Sequence, residues 1–157
     1  MADDIYTKLK QDHDRQRVML KQLAEQQDGR VELFENLRLE LQAHAAAEEE
    51  SLYATMLAKP ELRDDARHSV SEHKEVDDIL GEMMALDANS AEWEEKFEHL
   101  RHRYEHHIDE EEEEMFPAAA EVLPDSKELE LADVYANRKP AELENAKANP
   151  PGDDERE

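Results

Sequence analysis

Histidine and glutamate recur in this sequence at a spacing typical of metal ligands on a helix. HAAAEEE occupies residues 44–50 and HIDEEEEE occupies residues 107–114, so Glu48 and Glu111 each follow a histidine by one helical turn. Leu52 and Met115, one turn further on, place both glutamates on an apolar face. An ionised carboxylate buried without a partner costs several kcal/mol, and a divalent cation would remove that cost. The spacing therefore predicts a buried metal site.

Four histidines lie on the apolar faces of four predicted helices, one on each helix. They are His13, His44, His73 and His107. A lone histidine on an apolar face is more often a hydrogen-bonded core residue, and a glutamate run by itself is more often a solvated face. Four such histidines, two of them followed by glutamate at i+4, favour metal binding over both alternatives.

An internal repeat strengthens this interpretation. Phe34, Leu37, His44, Glu48, Glu49 and Tyr53 match Phe97, Leu100, His107, Glu111, Glu112 and Phe116, at the same offsets from the histidine. The first and third helices also correspond, with Asp12, His13 and Leu20 matching Glu72, His73 and Leu80. Two helical hairpins related in this way would place two His/Glu sets against each other across the core. That arrangement has enough ligands for two metal ions, with the carboxylates between them.

Helical periodicity predicts the elements that must position these residues. Four helices are expected over residues 4–27, 31–57, 61–86 and 89–117, with Gly29, Pro60 and Pro117 at their boundaries. The short connections predict an all-α, up-down-up-down antiparallel four-helix bundle over residues 1–123. A short C-terminal helix is expected over residues 124–137 and a disordered acidic tail over residues 138–157.

Composition limits the partners. The formal net charge is −24, with 43 acidic against 19 basic residues, and such a field repels nucleic acids and anionic membranes. The absence of cysteine excludes disulfides and thiolate ligands. The first residues, MADDIYTKLK, lack the apolar core of a signal peptide, so we expect a cytoplasmic protein. Composition leaves the oligomeric state open.

Taken together, the motifs resemble the hemerythrin-like (HHE cation-binding) domain over about residues 3–123. The resemblance depends on DHD around His13, HAAAEE at residues 44–49, EHKEVD around His73, and HIDEE at residues 107–111 with the following MFP. It implies a four-helix bundle around a non-haem di-iron centre that binds or senses oxygen, binds nitric oxide or decomposes peroxide. By this resemblance the four histidines are terminal ligands of two oxo- or hydroxo-bridged iron ions, and Glu48 and Glu111 are bridging carboxylates. The donor set also suits manganese or zinc.

Three residues leave alternatives open. Oxygen-carrying members have a fifth histidine one turn after the third-helix histidine, where this chain has Asp77, which is either a carboxylate ligand or leaves a site to water. This departure favours redox or peroxide chemistry over oxygen carriage. Glu112 competes with Glu111 as the bridging acid, although the repeat favours Glu111. Tyr104, one turn before His107, is a core residue or a phenolate ligand.

Two functions therefore compete. The first is a di-iron protein that handles O2, H2O2 or NO as a sensor, a scavenger or an enzyme with catalase-like activity. The second is an iron-holding or metal-buffering protein without turnover. A purely structural bundle without a metal is the alternative to both. Outside the predicted site, His99, His102 and His106 form a surface row or a secondary cation site, and His68 is expected to face solvent.

Overall fold

The structure is a computed structural model that describes residues 3–152, and every regular element in that range is a helix. Helix α1 is Ile5–Glu25 and helix α3 is Arg63–Met84. Helix α2 consists of Arg30–Glu48, a π-helical turn at Glu49–Tyr53, and Ala54–Leu57. Helix α4 consists of Ala91–Glu110, a π-helical turn at Glu111–Met115, and Phe116–Val122. Helix α5 is Asp125–Ala148.

Local sequence sets the helix ends. The side chain of Asp4 accepts a hydrogen bond from the backbone N–H of Thr7, and Ser90 does the same for Trp93. These N-caps satisfy amide groups that have no partner within the helix. Gly29 separates α1 from α2 with a φ of 69°, a left-handed conformation that glycine adopts without strain.

The first four helices form the predicted bundle. Helix α1 packs against α2 and α4, and α3 packs against α4 and α2, so each helix has two neighbours around a shared core. The prediction of an all-α bundle followed by a C-terminal helix is confirmed. Among the described residues, no helix has the length and apolar character needed to cross a membrane.

Helix α5 is longer than predicted. It continues past Asn137 to Ala148, so residues 138–148, expected to be disordered, are helical, while residues 153–157 of the predicted tail lie outside the described residues. The helix lies along α2 and α1, and it buries Leu131, Tyr135 and Ala146. Pro140 lies inside this helix, where proline removes a backbone hydrogen bond and normally ends a helix. The packing of α5 on the bundle outweighs that cost.

The bundle has two apolar clusters, one on each side of a polar layer. One contains Leu9, Leu52, Met56 and Phe116, and the other contains Leu20, Leu37, Leu80 and Leu100. Along each of α1 to α4, the inward histidine falls between residues of these two clusters. The histidines therefore meet at mid-bundle, with apolar packing on both sides.

Candidate metal centre

Six predicted ligands converge in the polar layer. Their nitrogen and oxygen atoms form two groups, each with all four ligand atoms within 4.8 Å of one another. The first group is His13, His44, Glu48 and Glu111, and the second is Glu48, His73, His107 and Glu111. All six side chains are buried, with relative exposures of 3% or less. Because Glu48 and Glu111 belong to both groups, the geometry suits two adjacent cations that share two carboxylates.

The two groups follow the pseudo-two-fold symmetry of the sequence repeat. His13 Nε2 lies 3.2 Å from Glu111, and His73 Nε2 lies 3.2 Å from Glu48. The contacts within one helix also match, at 3.6 Å from His44 to Glu48 and 3.5 Å from His107 to Glu111. Each glutamate thus faces one histidine of its own helix and one histidine of the other hairpin.

A carboxylate holds the outer nitrogen, Nδ1, of each of the four histidines of the centre. The Nδ1 atoms lie 2.6 Å from Glu112 for His13, 2.7 Å from Glu49 for His73, 2.8 Å from Glu72 for His107 and 3.2 Å from Asp12 for His44. An ionised carboxylate only accepts hydrogen bonds, so Nδ1 carries a proton and Nε2, the nitrogen that would bind a metal ion, faces inward. This carboxylate–histidine arrangement is the one that fixes the tautomer and orientation of metal-bound imidazoles.

Helix α5 adds a contact at one of these histidines only. The hydroxyl of Tyr135 donates to Asp12, and its oxygen lies 2.6 Å from Nδ1 of His44. Lys139 then ion-pairs with Asp12 at 2.7 Å and with Glu40 at 2.9 Å. The surroundings of His44 are therefore closed by the C-terminal helix, whereas those of its symmetry equivalent, His107, are not.

Unpaired buried polar atoms are concentrated at this centre. Within residues 3–152, nine buried side-chain nitrogen and oxygen atoms have no hydrogen-bond partner, and six of them belong to the centre. The six are Nε2 of His13, His44 and His73, both carboxylate oxygens of Glu48, and Oε1 of Glu111. Although these atoms approach one another at 3.2 to 3.6 Å, their geometry is not that of hydrogen bonds. Native interiors rarely leave so many polar atoms unpaired, and metal coordination would satisfy all six.

The charges of the centre are also out of balance without a cation. Burial raises the pKa of Glu48, and the nearby Glu111 charge raises it further. Burial also acts to raise the pKa of Glu111, but the nearby side chains of His13 and His107 outweigh it and lower that pKa. Burial acts to lower the pKa of His13, yet Glu111 and Glu112 raise it to about 9. Burial lowers the pKa of His44 to about 4.

Both π-helical turns coincide with the glutamates, a feature that the sequence analysis did not identify. In a regular α-helix, a residue nine positions after the histidine would lie on the opposite face. Tyr53 and Phe116 occupy that position, yet they are 0% and 2% exposed, because the wider turn rotates them into the core. The sequence signal for these π-helical turns was an aromatic residue nine positions after the histidine in both halves. π-helical turns are often found at functional sites.

Tyr53 is a further site residue that the sequence analysis missed. Its hydroxyl donates a hydrogen bond to Glu111, and its ring stacks on His73 with centroids 5.2 Å apart. Phe116, at the equivalent position, stacks on His13 but has no hydroxyl. The symmetry of the centre is therefore broken next to Glu111.

The three residues that the sequence left open lie outside both four-residue groups within the described chain. Glu112 holds the outer nitrogen of His13. Tyr104 donates its hydroxyl hydrogen to Gln16. Asp77 accepts a hydrogen bond from the backbone N–H of Gly152 at 2.8 Å. The role of Asp77 as a ligand stays a prediction.

A cavity of about 400 Å³ reaches the centre from the side of α2, α3 and α5. His73 and Asp77 lie on its wall together with apolar residues such as Leu41, Val76 and Ala146. Of the six predicted ligands, His73 is therefore the one that lines this cavity.

Comparisons with known proteins agree with the motifs and the geometry. The family described as the hemerythrin HHE cation-binding domain matches residues 4–119. The chain is also similar to the crystal structure of a hemerythrin HHE cation-binding domain-containing protein from Mycobacterium kansasii. The identity is 25% and the TM-score 0.81, over 93% of this chain and 91% of that chain. No curated protein matches the sequence. The chain belongs to the hemerythrin HHE cation-binding domain family.

Proposed function

We propose that this protein holds two iron ions as a non-haem di-iron centre that reacts with peroxide or another small redox ligand. The ligands would be His13, His44, His73 and His107, with Glu48 and Glu111 bridging the two ions. The observation that carries the proposal is the convergence of unpaired, buried imidazole nitrogens and carboxylate oxygens from four helices. Four imidazoles and two carboxylates suit iron, and also manganese or zinc.

The protein's own residues supply orientation and charge balance. Glu49, Glu72, Glu112 and Asp12 hold the Nδ1 atoms, so the imidazoles present Nε2 in a fixed direction. The hydroxyl of Tyr53 orients Glu111. A bound iron pair would supply the two-electron oxidation and reduction that peroxide chemistry requires.

The surroundings favour a small, uncharged reactant. Apolar clusters on both sides of the polar layer keep bulk water away from the ligands. The cavity beside His73 has a volume of about 400 Å³, which admits O2, H2O2 or NO, and the acidic side chains of Asp77 and Glu142 on its wall disfavour an anionic reactant. Exclusion of bulk water also limits unwanted oxidation of the ligands.

Asp77 is the reason to favour peroxide or redox handling over oxygen carriage. It lies one turn after His73 and lines the same cavity, where a fifth histidine would be expected in an oxygen carrier. The negative charge of a carboxylate at this place favours ferric over ferrous iron. Reversible oxygen carriage requires a stable ferrous state, so this charge opposes it.

Anaerobic reconstitution with ferrous iron tests the proposal. We expect two irons per chain, followed by release of one O2 for every two H2O2 consumed. Glu111→Gln should lose iron, whereas Glu113→Gln, an exposed change in the same run, should not. Asp77→His should lower peroxide turnover and raise oxygen affinity. Fewer than two tightly bound irons would overturn the proposal, and two irons without turnover would leave a metal-holding function, which the acidic surface also favours.

A further inference from the structure

A second cluster of metal-ligating side chains lies outside the di-metal centre, between α3 and α4. His68, Glu72 and Glu110 bring ligand atoms within 4.8 Å of one another. His68 Nε2 lies 3.3 Å from Glu110 and 3.5 Å from Glu72, and His106 Nε2 lies 3.3 Å from the other oxygen of Glu110. Both imidazoles are exposed, at 58% of their side-chain surface, so the cluster meets solvent.

A narrow pocket leads from this cluster to the centre. Asp65, His68, Glu110 and Glu114 line it together with His107 and Glu111, two of the six predicted metal ligands. At the ligand end, Glu111 is 1% exposed and its Oε1 has no hydrogen-bond partner. The pocket has a volume of about 40 Å³, which is enough for a cation with very few waters and too small for an organic molecule.

The other hairpin does not repeat this feature, although it repeats the ligands. The sequence repeat aligns His68 with Lys8, His106 with Ala43 and Glu110 with Ala47. Ala43 and Ala47 are fully buried, and α5 covers this side of the bundle with Tyr135 and Lys139. One face of the centre therefore presents imidazole and carboxylate to solvent, whereas the equivalent face presents lysine and is covered.

We propose that His68 and Glu110, with Glu72 beside them, form a cation-uptake site that takes a divalent metal ion from solvent and passes it along this pocket to the di-metal centre. The inference rests on the proposed function of that centre. The imidazole of His68 is 58% exposed and the carboxylate of Glu110 is 32% exposed, so they would bind a divalent ion weakly and release it readily, as transfer requires. The strongly negative surface raises the local concentration of cations at the pocket mouth.

The rate of metal loading tests this site separately from the centre. Metal-free protein is mixed with cobalt(II), and the visible absorption of the bound ion is followed with time. The test variant is His68→Asn with Glu110→Gln. The matched control is His102→Asn with Glu98→Gln, which removes the same residue types from exposed positions outside the cluster. Circular dichroism checks that both variants remain helical.

In the test variant, we expect loading to slow by about tenfold, with the same final two ions per chain, because only the route is impaired. Wild-type protein should also bind a third, weak manganese(II) ion, detected by electron paramagnetic resonance, that the test variant lacks and the control retains. If the test variant loads at the wild-type rate, or binds a different final number of ions, the uptake site is overturned. The proposed function is not affected by that result, provided that the wild type binds two tight ions. A wild type that binds fewer than two tight ions would overturn the proposed function itself.

Discussion

Glu112 accepts a hydrogen bond from Nδ1 of His13 at 2.6 Å, although the two residues are 99 positions apart in the chain. The same relationship joins Glu49 to His73 at 2.7 Å in the other half of the molecule. In both halves, the glutamate four residues after the histidine faces the centre, and the glutamate five residues after it holds an imidazole from behind. Consecutive glutamates thus have different tasks, one toward the metal and one toward its ligand.

Replacing Glu112 should therefore weaken metal binding without removing a ligand. In Glu112→Gln, we expect metal affinity to fall by about tenfold or more, because the neutral amide holds the His13 N–H less strongly. Competition with a chelator of known affinity measures the change. Glu113→Gln alters an exposed neighbour and should leave the affinity unchanged. Equal affinities in the two variants would contradict the role assigned to Glu112.

Replacing Glu48 should stabilise the metal-free protein and abolish the stabilisation by metal. Both oxygens of this buried carboxylate lack a hydrogen-bond partner, so its charge opposes folding when no cation is bound. In Glu48→Gln, we expect the free energy of unfolding in chelator at pH 8 to rise by about 1 kcal/mol or more. Urea unfolding with and without metal measures both effects.

The control for that experiment is Glu50→Gln, an exposed change in the same run. It should alter the free energy of unfolding by less than about 0.5 kcal/mol and retain the stabilisation by metal. A Glu48→Gln protein that is less stable than wild type in chelator would show that this carboxylate is satisfied without a cation.

Metal-free protein should lose stability as the pH rises from 6.5 to about 9. Folding raises the pKa of His13 to about 9, because Glu111 and Glu112 outweigh the effect of burial. A histidine with a raised pKa stabilises the folded state fully below its unfolded pKa, and this contribution is lost as the pH rises through its folded pKa. His13 should account for about 3.5 kcal/mol of the loss at most, at 1.4 kcal/mol per pKa unit. The lowered pKa of His44 acts below pH 6.5, outside this window, whereas the raised pKa of Glu48 also lowers stability as the pH rises.

Urea unfolding in chelator across this pH range measures the loss. His13→Gln should flatten the dependence, and an unchanged slope in that variant would assign the loss to another group. Metal loading at pH 7.5 should also release protons, because a metal-bound His13 no longer holds its Nε2 proton. Titration calorimetry in two buffers of different ionisation enthalpy counts the protons released.

The C-terminal half of α5, residues 138–148, should contribute to stability, although its sequence predicts a disordered tail. Lys139 ion-pairs with Asp12 and Glu40, and its side chain is only 19% exposed. In Lys139→Gln, we expect the free energy of unfolding to fall by about 1 kcal/mol, because Asp12 and Glu40 keep Arg15 but lose the more buried of the two cations that they share. Lys147→Gln, on the same helix, breaks only an exposed pair with Glu144 and should have less than about a third of that effect. Equal effects would mean that residues 138–148 do not pack on the bundle in solution.

Local spacing was sufficient to predict much of this protein. The helix period alone placed His13, His44, His73 and His107 on inward faces, and the structure buries all four. The repeat between the second and fourth helices distinguished Glu111 from its neighbours in the run, and the structure brings Glu111 to the Nε2 atoms and Glu112 to an Nδ1 atom. These features depend on angles within a single helix, which sequence spacing determines.

The pairings between helices were decided by tertiary structure. Whether Glu72 or another acid holds His107, and whether Tyr53 reaches Glu111, depends on how far one helix slides and rotates against the next. The π-helical turns and the continuation of α5 past Pro140 have the same origin, because each accepts a local cost for burial against other helices. Sequence spacing describes one helix at a time, whereas these contacts lower the free energy only after the bundle has assembled.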